Sequence, residues 1–161
     1  MATIEITTIV DAPIGRVFDL ARSIDLHTNS TSKTGERAVA GVTSGLMGAG
    51  DQVTWRARHL GIWQCLTVRI EAFEPPTHFS DRMIRGVFRH MEHHHYFSQT
   101  SRGTVMRDVF EFHSPLGPLG RAVDALVLKR YLRAFLVERN RVIKATAESD
   151  GWRHYLQTEA T

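Results

Sequence analysis

From Arg58 to Phe97 the chain reads RHLGIWQCLTVRIEAFEPPTHFSDRMIRGVFRHMEHHHYF. Apolar and polar side chains alternate in runs of about ten residues, the period of a strand with one buried face. Gly61, Pro75-Pro76 and Gly86 close successive runs, and such short turns join neighbouring strands antiparallel. Outward from this stretch the same pattern marks strands at Glu36 to Ala40, Asp51 to His59, Ile62 to Phe73, His78 to Arg85, Arg89 to Thr100 and Thr104 to His113. A glycine-rich loop at 41–50 and Ser101-Arg102-Gly103 supply the remaining breaks. The reading predicts an antiparallel meander.

The flanks differ from this centre. Thr3 to Val10 is rich in β-branched residues and predicts a first strand, after which Asp11-Ala12-Pro13 forms a stop and a helix start. Val17, Phe18, Leu20 and Ala21 give the following short helix an apolar side, and Ser23 to Asn29 can form a second short helix. Pro115, Gly117, Pro118 and Gly120 punctuate the exit from the meander. From there to Glu148 neither glycine nor proline interrupts a helical pattern about eight turns long. Leu128, Leu132, Phe135 and Val142 are read as its buried stripe, with Lys129, Arg130, Arg133, Arg141 and Lys144 mostly away from it.

Composition narrows the function classes. With 161 residues, 42% hydrophobic and 23% charged, the chain is expected to be one soluble domain over residues 1–150 with a polar tail at 151–161. No apolar run reaches membrane-span length, so no integral membrane association is expected. The net charge of +3 comes from arginines scattered among acidic residues instead of a basic block, which argues against a nucleic-acid partner. The opening MATIEITTIVDAP lacks the pattern of a secretory signal, and the single Cys65 can make no internal disulfide, so a cytoplasmic setting is expected.

The order of one strand, two short helices, a meander and one long helix resembles the START-like, helix-grip (SRPBCC) superfamily, and the likeness runs along the whole chain. The segment at 58–97, the segment GTVMRDVFEFHSPLGPLG at 103–120 and the basic final helix are similar to a bacterial branch of it, labelled polyketide cyclase/dehydrase-like or cell-division inhibitor. The resemblance implies an α+β fold in which a curved antiparallel sheet wraps around the C-terminal helix. It also implies a cavity for a lipid, a polyketide or another apolar molecule, without implying a reaction.

Alternation then assigns the concave face. Val53, Trp55, Ala57 and His59 point inward on one strand, and Ile62, Gln64, Leu66, Val68 and Ile70 on the next. Phe79, Asp81 and Met83 follow, then Met91, His93, His95 and Phe97, then Met106, Asp108, Phe110 and Phe112. With Leu128, Leu132 and Phe135 from the helix, these strands supply the candidate ligand-binding set: Trp55, His59, Gln64, Leu66, Asp81, Met83, His93, His95, Phe97, Met106, Asp108 and Phe110.

Asp81, His93, His95 and Asp108 interrupt apolar rows. With tight hairpins Asp81 falls near the level of His95, and His95 near Asp108. Three readings are open. Asp108 with His95, and Asp81 with His93, can be structural pairs that orient the sheet and a ligand head group. His95 can be a catalytic acid or base oriented by Asp108, with His59, Gln64 or Arg85 polarising a carbonyl, as a cyclase or dehydratase needs. Or His93 and His95, about 6 to 7 Å apart on one strand face, can bind a metal with Asp108 or Asp81. His94 turns outward and is excluded from that set.

No motif calls for a cofactor, and the sequence leaves the oligomeric state open. The loop GVTSGLMGAGD at 41–51, with Leu46 and Met47 near its tip, is either a lid or a surface turn. PLGPLG at 115–120 is read as a turn more than a hinge, and Cys65 as inert. The basic face of the last helix is a solvated face, or one that meets an acidic partner or anionic lipid. A regulatory protein-interaction module is the remaining alternative to a ligand-binding one.

Overall fold

The computed structural model describes residues 1–113 and 127–156. Strand β1 (Ala2–Val10) leads through α1 (Ile14–Ala21) and α2 (Ile24–Ser30) to β2 (Arg37–Gly41), β3 (Gln52–His59), β4 (Ile62–Glu74), β5 (His78–Arg85), β6 (His90–Thr100) and β7 (Gly103–His113). The long helix α3 (Lys129–Ala147) and a short α4 (Trp152–Leu156) complete the described elements. The seven strands form one antiparallel sheet in the order β1-β7-β6-β5-β4-β3-β2. This is the expected helix-grip arrangement. The start of the predicted last helix and the PLGPLG turn lie outside the described residues.

Up-and-down connectivity gives the sheet two unlike ends. The β3–β4 and β5–β6 turns, the end of β7 and the start of α3 share one end, called the upper end below. The β4–β5 turn, with its cis Pro75–Pro76 peptide, the β6–β7 turn and the start of α1 share the other. At this lower end Phe18 of α1 inserts among Phe73, Phe79 and Phe97, ring centroids 5.4 to 5.7 Å away. The Ser23 hydroxyl accepts from the Leu26 amide and caps α2, whose Ile24 and Leu26 are buried. Gly103 has φ +123, and a Cβ there would lie 2.2 Å from the Val10 carbonyl oxygen, so no other residue lets β1 and β7 close this corner.

The buried stripe of α3 is Leu136, Arg139, Asn140, Ile143 and Ala147, while the expected Leu128, Leu132, Phe135 and Val142 are all half-buried, packed against the core from its margin. The tail is anchored as far as Leu156: the Arg16 guanidinium lies 4.4 Å over the Trp152 ring, and Asn29 Nδ2 donates to Tyr155 Oη at 2.8 Å.

Candidate functional site

Because α1 fills only the lower part of the concave face, the upper part between sheet and α3 stays open as a cavity of about 390 Å³. Val53, Trp55, Ala57 and His59 of β3 form one wall, with Gln64, Leu66, Val68 and Ile70 of β4 beside them. Tyr131, Leu132, Phe135 and Leu136 of α3, with Leu128 just before it, roof the cavity. Met47, from the glycine-rich loop, is buried in the wall, and that loop is held by the Ile24 amide on Gly45, the Gly45 amide on the Asp25 carboxylate and Arg22 Nη1 on the Met47 carbonyl.

The inner end carries the charged cluster. Asp81 stands directly opposite His93 in the β5–β6 register, and His95 opposite Asp108 in β6–β7. The level expected for Asp81 is therefore corrected from His95 to His93. The bonds nevertheless run diagonally: His95 Nε2 lies 3.1 Å from Asp81 Oδ1, and His93 Nε2 lies 3.0 Å from Asp108 Oδ1. Register fixes the level of a residue, but an imidazole reaches across to the next pair. His95 Nδ1 also lies 2.8 Å from Asp108 Oδ1, yet that oxygen is off the N–H direction, so this buried nitrogen has no hydrogen-bond partner among the described residues.

Helix α3 supplies two further members. Asn140 Nδ2 donates to Asp108 Oδ2 at 2.6 Å, and Arg139 Nη1 lies 3.6 Å from Asp108 Oδ1 while its Nη2 donates to the Ala21 carbonyl at 2.9 Å. Both are buried, and the sequence reading missed them. The signal was there: Arg139 and Asn140 sit three or four residues from both Leu136 and Ile143, on the apolar stripe.

Burial raises the cost of charge on Asp108 and Asp81, but hydrogen bonds from the histidines outweigh it. Asp108 lies well below, and Asp81 below, the ordinary carboxylate range. Burial, reinforced by His95, pushes His93 down to about 4, so it is neutral at pH 7 and donates Nε2–H to Asp108. With Nε2–H of His95 donated to Asp81, Nδ1 presents Asp108 either a lone pair or, in the imidazolium, a second positive contact.

A second polar group lies nearer the upper end. His27 stacks on Trp55 with ring centroids 4.2 Å apart, and its Nε2 lies 3.3 Å from Glu36 Oε2. Glu36 is buried, which opposes its charge, yet His27 and His59 hold its carboxyl below the usual value. His59 Nδ1 is 2.8 Å from Tyr131 Oη, and burial lowers His59 and raises Tyr131. Of these five, Trp55 and His59 belong to the set read from sequence, and His27, Glu36 and Tyr131 do not.

Several candidates move off the cavity wall. Phe97 and Met106 are opposite one another at the lower end, buried in the core beneath α1. Met83 turns toward Gly86, where an added Cβ would lie 2.8 Å from its sulfur. Asp108 stands behind the two histidines, bonded to Asn140, and supports the wall without lining it. Ile62 is exposed at the upper rim. Trp55, His59, Gln64, Leu66, Asp81, His93, His95, Phe110, Leu128, Leu132 and Phe135 do line the cavity.

For a metal, the geometry favours a different trio from His93, His95 and Asp108. Ligand atoms of Asp81, His93 and His95 all lie within 4.8 Å of one another. Asp108 already accepts from His93 and Asn140 and would act from behind, orienting imidazoles.

Among the described residues no helix is long and apolar enough to cross a membrane. No curated protein matches the sequence. Solved structures share its architecture. A Thermus thermophilus protein superposes with a TM-score of 0.70 at 16% identity, covering 91% of this chain and 99% of that one. The di-domain ARO/CYC StfQ from the steffimycin biosynthetic pathway gives 0.72 at 16% identity, over 92% of this chain and 51% of that one. A START superfamily protein from Mycobacterium smegmatis gives 0.68 at 10%, over 91% and 97%. The family model described as "Polyketide cyclase / dehydrase and lipid transport" matches residues 1–148, and the chain belongs to that family.

Proposed function

We propose that this protein binds an apolar small molecule between the sheet and α3, its polar group directed at Asp81 and His95. The observation that carries this reading is the cavity of about 390 Å³, within the usual range for small-molecule sites, with apolar walls and a few converging polar groups. Leu66, Val68, Ile70, Phe110, Leu132 and Phe135 offer contact area, and Asp81 and His95 fix orientation.

Native mass spectra of gently purified protein test it. An organic adduct that disappears on denaturation supports the proposal and gives the ligand class. A clean mass, combined with no saturable uptake of the neutral fluorophore 1-aminoanthracene, contradicts it. One divalent metal per chain, lost in His93→Gln, would instead point to the Asp81, His93 and His95 trio.

Proton transfer on the bound molecule is a second reading, favoured by one arrangement. Asp81 faces the cavity, contacts His95 Nε2, and His95 Nδ1 faces a second carboxylate. Such a relay can pass a proton between the bound molecule and the buried imidazole. Unchanged turnover of an identified substrate by His95→Ala would end this reading.

A further inference from the structure

The upper rim of the cavity shows hydrocarbon to solvent. Leu60 in the β3–β4 turn is 60% exposed, Ile62 beside it 65%, Val87 in the β5–β6 turn 45% and Val127 at the entrance to α3 51%. Leu60, Val87 and Leu128 also line the cavity, so these groups surround its opening. Leu60 further occupies a left-handed backbone position, φ +50, ahead of Gly61 at φ +81. A tight hairpin favours asparagine or glycine there, and a leucine left mostly exposed is a poor choice for folding.

Among the described residues of the three segments that carry these tips, the charge has one sign. Arg58, Arg85, Arg89, Lys129 and Arg130 are exposed beside them. No aspartate or glutamate occurs in residues 58–70, 82–91 or 127–137, the three segments that bring these groups to the upper end. Exposed aliphatic tips within a cationic ring match an anionic lipid interface, where the tips enter the headgroup boundary and the cations meet lipid phosphates.

We infer that the rim formed by Leu60, Ile62, Val87 and Val127, with Arg58, Arg85, Arg89, Lys129 and Arg130, docks on the surface of an anionic phospholipid bilayer. Docked this way, the cavity opens toward the membrane, and an apolar molecule passes between the two without crossing water. That passage rests on the binding reading above. The docking itself does not.

The test is co-sedimentation with vesicles of phosphatidylcholine alone and of phosphatidylcholine mixed with phosphatidylglycerol. The protein should sediment with the mixed vesicles at about 0.01 M salt and be released near about 0.1 M, as the screening length falls from about 30 to about 10 Å. Arg85→Gln should weaken partitioning about fivefold, and Ile62→Asp with Val127→Asp, two exposed positions that do not line the cavity, at least about tenfold, each with an unchanged melting temperature. No sedimentation at low salt, or equal sedimentation of parent and rim variants, overturns the proposal. Uptake of 1-aminoanthracene is measured on the same samples: the rim variants should retain it, so loss of docking and failure of the cavity reading are read separately.

Discussion

The two ends of the cavity invert the usual order of a globular protein. At its inner end Asp108 and His95 are each 1% exposed and Arg139 4%, charge and polarity held away from water. At its rim Leu60 and Ile62 are more than half exposed, hydrocarbon held in water. The inner end is tolerable because each carboxylate meets a donor, and the pairing must be complete, since one missing partner leaves a buried charge uncompensated. The rim needs no partner to fold. The contrast separates groups that hold the fold from groups free to serve passage, and substitutions at the two ends should differ accordingly.

The largest expected effect lies at the inner end. Asp108→Ala strips Arg139 of its nearest carboxylate and should destabilise the fold by about 3–5 kcal/mol. Urea unfolding measures it, and adding Arg139→Met should recover much of the loss, because no charge is then stranded. A smaller cost from Asp108→Ala than from an exposed rim change would erase the contrast.

Acid should weaken the same end next. His93 is lowered from 6.5 to about 4, so as pH falls the unfolded chain takes up a proton before the folded one does. The stability this group contributes is fully present above pH 6.5 and drains away between 6.5 and about 4, by about 3 kcal/mol in total. Asp81 and Asp108 are also depressed, and their contribution is present above the ordinary carboxylate range and lost at still lower pH. Melting temperatures across this range should fall for the parent and fall less steeply for His93→Gln, in which the lowered His59 still contributes.

Between the ends, Tyr131→Phe removes the hydroxyl beside His59 and should cost about 1 kcal/mol in urea unfolding. The smallest effect, and opposite in sign, belongs to the rim. Leu60→Asn relieves the left-handed leucine and should stabilise by about 0.5 kcal/mol, read as a raised urea midpoint. Destabilisation would mean that Leu60 supports the fold after all.

The same contrast separates what could be read in the sequence from what could not. The meander and the inward row Val53, Trp55, Ala57 and His59 were legible because alternation has one period and the turns carry glycine or proline. Alternation did not say which inward residues face a cavity and which a core. Phe97 and Met106 became core because α1 covers that end, a fact of tertiary packing. The diagonal bonds of His93 and His95 depend on side-chain reach, which register does not specify. Arg139 and Asn140 were passed over because polar residues on a helix were assigned to solvent, although their spacing from Leu136 and Ile143 placed them inside. Glu36 and His27 meet only through the packing of α2 against β2 and β3, and no local pattern marks them.

Filling the space between sheet and α3 from within shows whether it receives an apolar molecule. Ala57 is buried on β3 and lines that space, so Ala57→Phe fills part of it from the β3 wall. Fluorescence titration with 1-aminoanthracene should give saturable binding at one site in the parent, and binding weakened at least about tenfold in Ala57→Phe with the fold intact by circular dichroism. Equal binding by the two proteins would place the fluorophore elsewhere and contradict the account.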